Sequence, residues 1–148
     1  MKIIKNFLRK DFNKYLQKEL GGDNFPWYFH PTSLRTPYKE DRQFLFYHDF
    51  MVEKKINSDW WPLVKPLVAN IKKHFPGIEL LRVKANLYTN QNKEVKFGKH
   101  IDNQYEREFW TSIYYVNSNN GKTYVGKKGV PSVANSIVVF DGQTPHYG

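Results

Sequence analysis

Phe7, Leu8, Phe12, Tyr15, Leu16 and Leu20 recur at the three- and four-residue spacing of a helix that buries one face, and Gly21-Gly22 ends the pattern. Phe25-Pro26-Trp27-Tyr28-Phe29 predicts an edge strand, because a proline cannot donate to a central ladder. Thr32 to Asp41 is polar and turn-rich and reads as a loop, and Phe44 to Phe50 as a buried strand. Ser58 or Asp59 is placed to cap a second helix running to His74, with Pro62 in its first turn, where a missing N–H costs little. Pro66 falls later and predicts a kink or a late start, and Phe75-Pro76-Gly77 ends the helix.

From Ile78 to Tyr88 the period changes to two. Leu81, Val83, Ala85 and Leu87 share one face, and Arg82, Lys84, Asn86 and Tyr88 the other, which is the signature of a half-polar strand. Phe109 to Val116 and Ile137 to Phe140 read as further strands. A turn at Asn117-Ser118-Asn119-Asn120-Gly121 leads into a short return strand at Thr123 to Val125. Helices fill the first half and antiparallel strands the second. This order predicts an α+β fold, with strands paired face to face as a sandwich or jelly roll able to hold a metal between its sheets.

Composition narrows the function. The 148 residues suit one domain with a real core, and 17% aromatic content makes disorder untenable. The chain has no cysteine, which removes disulfides, thiolate metal sites and cysteine nucleophiles. Met1-Lys2-Ile3-Ile4-Lys5 is too short an apolar run for a signal peptide, and no stretch approaches the ~20 apolar residues of a membrane span. A cytoplasmic protein with no membrane partner is the expectation. The net charge of +9 favours polyanions, but the lysines are scattered, so nucleic acid stands beside a protein or small molecule as a candidate partner.

Chemistry concentrates at Gly98-Lys99-His100-Ile101-Asp102-Asn103. On a strand, residues two apart point to the same face, so His100 and Asp102 can aim at one point. A second histidine would complete a two-histidine, one-carboxylate facial triad, an arrangement that suits non-haem Fe(II) and leaves positions open for oxygen and substrate. His146 is the candidate, after the strand Ile137 to Phe140 and the turn Asp141-Gly142. His30, His48 and His74 lack such neighbours in the sequence and read as structural or surface residues.

Several segments in this order resemble the iron(II)/2-oxoglutarate-dependent oxygenases, particularly the small prolyl-hydroxylase-like members of bacteria and their phages. They are Arg82-Val83-Lys84-Ala85-Asn86-Leu87-Tyr88, His100-Ile101-Asp102, Thr111-Ser112-Ile113-Tyr114-Tyr115-Val116-Asn117 running into Gly121, and Val133-Ala134-Asn135-Ser136-Ile137-Val138-Val139-Phe140 with Pro145-His146. The resemblance runs from about Leu80 to the end. It implies a double-stranded β-helix with supporting helices, and Fe(II) held by the catalytic residues His100, Asp102 and His146. It also implies 2-oxoglutarate hydrogen-bonded by Asn86 and Tyr88, with ascorbate as a further candidate cofactor. The implied reaction oxidises 2-oxoglutarate to succinate and carbon dioxide while a substrate C–H bond is hydroxylated. By the same resemblance Asn135 is a turn residue, and Trp110 and Tyr114 line the core or the pocket. A phage-encoded member would work in the host cytoplasm.

The chain departs from the family in one respect. Members carry an Arg or Lys about ten residues after the distal histidine, pairing with the far carboxylate of 2-oxoglutarate. Here Gly148 follows two residues after His146, and no arginine follows Arg107. The expectation is therefore a single oxygenase-like domain over residues 1–148 that lacks its C-terminal strand and turns over 2-oxoglutarate poorly. Arg82, Lys84, Lys122, Lys127 and Lys128 are the substitute cations on offer. Three functions remain open: a hydroxylase of a peptidyl, prolyl-type or other substrate, a nucleic-acid oxidative demethylase, and a catalytically inactive jelly-roll binding module.

Overall fold

The computed structural model describes residues 1–31, 44–92, 95–102 and 108–148. The expected loop from Thr32 to Asp41 lies outside these residues, as do Asn103 and Arg107. In chain order the elements are β1 (Lys2–Lys5), α1 (Lys10–Leu20), β2 (Tyr28–His30), β3 (Leu45–Val52), β4 (Lys55–Ile56), α2 (Trp61–His74), β5 (Val83–Leu87), β6 (Trp110–Tyr115), β7 (Lys122–Val125), β8 (Lys128–Pro131), β9 (Ser136–Asp141) and β10 (His146–Tyr147).

All strand pairings are antiparallel and fall into three sheets. The first has the order β1-β9-β6 and the second β10-β7-β8; in the third, β3 pairs with β2, β4 and β5. Mixed helices and antiparallel sheets are thus the observed architecture, in line with the expected α+β class. Among the described residues no helix is long and apolar enough to cross a membrane.

The alternation of β9 explains how the layers meet. Ile137 and Val139 project to one side, into a core built with Phe7, Leu8 and Leu16 around α1, Leu63 and Val64 from α2, and Phe50 from β3. Val83 and Ala85 of β5 and Tyr114 of β6 pack against that same core. Val138 and Phe140 project to the other side, where Ile113, Tyr115, Val125 and Val130 form a second core between the first and second sheets. A strand buried on both faces reads as a continuous apolar run, which is what Ile137-Val138-Val139-Phe140 is.

Several elements differ from the sequence reading. The first helix starts only at Lys10, and Phe7 and Leu8 reach the core from the extended segment before it. The second helix is continuous through Pro66, with no kink or late start. Pro66 is exposed, and the burial of Leu63, Val64 and Val68 on the opposite side offsets the lost ladder bond. Neither Ser58 nor Asp59 is its N-cap, which is Trp60; the Ser58 hydroxyl instead accepts the Trp60 N–H at 3.0 Å. The half-polar strand is shorter than its alternation, covering Val83–Leu87. The short strands β1, β4, β8 and β10 carry too few residues to show a period and were not foreseen. Trp110 is 63% exposed and lies outside both cores, whereas Tyr114 packs on the first.

Asn135 is indeed a turn residue, with φ of +59°, and it does more than turn the chain. Its side-chain oxygen accepts the Leu8 N–H at 2.8 Å and its amide donates to the Leu8 carbonyl at 2.9 Å. Its backbone N–H donates to the Tyr115 carbonyl and its own carbonyl accepts from Phe7. One residue thereby ties the N-terminal segment to both β6 and β9.

Candidate metal centre

His146 is positioned by the turn after β9. Gln143 N–H donates to the Asp141 carboxylate at 2.9 Å and Thr144 N–H to the Asp141 carbonyl at 2.8 Å, an Asx-type turn. Gly142 carries no side chain where Phe109 packs against it, and a Cβ there would collide with the Phe109 ring. The chain then enters β10, where His146 pairs with Val125 of β7 and its imidazole packs edge-on against Phe140 at 4.9 Å.

His100 is brought to His146 by an isolated antiparallel bridge. His100 N–H donates to the His146 carbonyl at 2.9 Å, and His146 N–H returns the bond at 2.8 Å. Asp102 follows in a bend rather than on a regular strand. The pleat argument for a shared face therefore gave the right neighbours through a different local geometry: the bridge fixes His100, and the bend swings Asp102 back toward the two rings.

The outcome is a compact cluster. One ligand atom each from His100, Asp102 and His146 can be chosen so that all lie within 4.8 Å of one another. The imidazole centroids are 4.3 Å apart. His100 Nε2 is 3.7 Å from Asp102 Oδ1, and His146 Nε2 is 3.5 Å from Asp102 Oδ2. These spacings are too long for good hydrogen bonds and suit groups that share an ion lying between them.

The outer partners fix which ring nitrogen is free. His100 Nδ1 lies 3.0 Å from the Gly98 carbonyl and His146 Nδ1 3.1 Å from the Thr144 carbonyl. A carbonyl only accepts, so each Nδ1 carries the proton and each Nε2 keeps its lone pair for the cluster. Burial holds the His146 imidazole below the ordinary histidine pKa; the Thr144 carbonyl and Asp102 oppose this and His100 adds to it. His146 is thus neutral at neutral pH, the form a metal requires. The donor set and its tautomers fit a first-row divalent metal such as Fe(II).

Thr111 was not singled out from the sequence. Its hydroxyl donates to Asp102 Oδ2 at 2.8 Å and so orients the carboxylate. On β6 it stands opposite Phe140, on the face turned to the second core, and only the parity of the strand could have indicated this. Thr111→Val keeps the shape and removes the hydroxyl. We expect metal affinity to fall by ~10- to 100-fold with the fold unchanged, since supporting groups of this kind typically matter by that factor. An unaltered affinity in a metal titration would show that Asp102 needs no such support.

Asn86 and Tyr88 lie outside the three-residue cluster. Asn86 pairs with Tyr47 on the face of β5 opposite Ala85, which packs on the helical core. Tyr88 contacts Phe97 ring to ring at 4.6 Å, and Phe97 N–H donates to the Gly148 carbonyl, so it reaches the segment that leads into His100. The other histidines have different surroundings. His48 is buried with its ring nitrogens 2.8 Å from the Pro26 carbonyl and 2.7 Å from the Ser58 hydroxyl, and His74 packs on Phe7. His30 lies against Tyr47.

No protein-family model and no curated protein sequence matches the chain. Among solved structures it is similar to a Pseudomonas putida prolyl-4-hydroxylase, with a TM-score of 0.59 and 17% identity over 99% of this chain and 83% of that one. The chain thus has the fold of that hydroxylase, and its His100-Asp102-His146 cluster fits the iron(II)/2-oxoglutarate-dependent oxygenases that its sequence resembles.

Proposed function

We propose that this chain is a non-haem Fe(II)/2-oxoglutarate-dependent dioxygenase, built on a double-stranded β-helix, that hydroxylates a C–H bond of a peptidyl, prolyl-type substrate. The observation that carries the reading is the convergence of two unprotonated Nε2 atoms and one anchored carboxylate at the end of the second core. His100, Asp102 and His146 would hold the iron, and Asn86 and Tyr88 would orient 2-oxoglutarate from the β5 side. Iron bound there supplies the coupling of 2-oxoglutarate decarboxylation to insertion of one oxygen atom into the substrate.

The remaining roles belong to the chain. The Nδ1–H bonds to Gly98 and Thr144 keep both imidazoles in the ligand tautomer, and Thr111 keeps Asp102 turned inward. Phe140, Val138 and Val125 close the cluster's inner side to water, which strengthens every electrostatic contact made there. The peptidyl substrate class follows the name of the structural neighbour, a prolyl-4-hydroxylase. The net charge of +9 favours methylated nucleic acid as the second substrate class.

The test is succinate formation from 2-oxoglutarate with Fe(II) and oxygen, run with proline-containing peptides and with methylated oligonucleotides. Peptide-stimulated succinate and a peptide mass gain of one oxygen atom are expected. Stimulation by oligonucleotides alone would replace the substrate class, and no succinate under any condition would favour an inactive binding module.

A further inference from the structure

We infer that Lys84 is the cation that receives the far carboxylate of the dicarboxylate cosubstrate; this rests on the oxygenase reading above. Lys84 lies on β5 opposite Asp49, on the same face as Asn86, and this face points away from the helices that cover Val83 and Ala85. Leu45 of β3 is buried on that face, so it is not simply solvent surface. The Lys84 side chain leans along the strand: its Nζ sits 5.0 Å over the Tyr47 ring, and Tyr47 is the cross-strand partner of Asn86. The ammonium is therefore carried from its own position toward Asn86 and Tyr88. The Asp49 carboxylate is meanwhile held by Arg82, whose Nη2 and Nε donate to it at 2.8 and 3.0 Å.

The other candidate cations are less well placed. Arg82 is committed to Asp49. Lys122 is exposed on the β7 face shared with Tyr124, opposite the buried Thr123 and Val125. Lys127 is exposed in the turn between β7 and β8. Lys128 shares a cross-strand row with Val125 and His146 but is exposed at the hairpin end, where water competes for any anion. Lys84 alone among these is half-buried on a face shared with Asn86, and a half-buried ammonium over an aromatic ring is where a carboxylate gains most from a charge-assisted hydrogen bond.

The test uses the full chain loaded with Mn(II), so that binding is read without turnover. Calorimetry compares 2-oxoglutarate with 2-oxopentanoate, which keeps the keto acid and lacks the far carboxylate. Lys84→Met should weaken 2-oxoglutarate binding roughly ten- to hundredfold, leave 2-oxopentanoate and Mn(II) binding unchanged, and be largely rescued by Lys84→Arg. Lys128→Met should leave all three unchanged. Equal losses for both keto acids would give Lys84 a merely structural role, and a selective loss in Lys128→Met instead would move the carboxylate to β8; either overturns the assignment while the oxygenase reading stands. Failure of the unmodified chain to bind Mn(II), or of its Mn(II) form to bind 2-oxoglutarate, overturns the oxygenase reading and the role of Lys84 with it.

Discussion

His100→Ala and Asp102→Ala are each expected to abolish stoichiometric Fe(II) or Mn(II) binding while leaving the chain folded. Each removes one of three ligand atoms from a site whose affinity depends on all three. Neither side chain carries much packing: Asp102 and its neighbour Ile101 are exposed, and the His100 imidazole is about a third exposed. His146 is different, being 4% exposed and packed on Phe140, so His146→Ala would mix loss of a ligand with loss of core. The first two variants therefore separate metal binding from stability. Equilibrium dialysis with Mn(II) and far-ultraviolet circular dichroism provide the measurements. Full metal occupancy in both variants would refute the centre, and unfolding of both would mean that the bridge between His100 and His146 holds more of the fold than its two bonds indicate.

Asn135→Ala is expected to cost about 3–5 kcal/mol of stability without touching the metal centre. The Leu8 N–H and carbonyl both lose their partner, and Leu8 is buried, so two backbone groups are left unsatisfied at ~1–3 kcal/mol each. The alanine must also hold a φ of +59°, at a further ~1 kcal/mol. The Tyr114 hydroxyl is less affected, because it also lies 2.6 Å from Asn13 Oδ1. For a domain of this size the melting temperature should drop by roughly 10 °C. Asn135→Gly relieves the backbone part and restores only about 1 kcal/mol of the loss. Melting curves that coincide for Asn135→Ala and the unmodified chain would mean that the N-terminal segment is held by β1 pairing alone.

By itself the sequence determined the two helices, the principal strands and the three metal-site residues. Periods of 3.6 and 2 record which face is buried, and β9 and α2 are long enough to show theirs. His100 and Asp102 were legible because they are two residues apart, and His146 because it follows the strand Ile137 to Phe140 and a turn. Asn86 was legible as polar on an alternating strand, yet alternation gives two faces and not which one meets the metal. The packing of Val83 and Ala85 on the helices decided that. Residues 2–5, 128–131 and 146–147 became strands only through partners distant in the chain, since two to four residues have no period to read. Thr111 joined Asp102, and Asn135 joined Leu8 across 127 positions, through hydrogen bonds that form only once the sheets are stacked. The five candidate cations were equivalent in sequence because charge has no periodicity. Direction of the side chain, exposure and Asp49's hold on Arg82 distinguished them, and those are properties of tertiary structure.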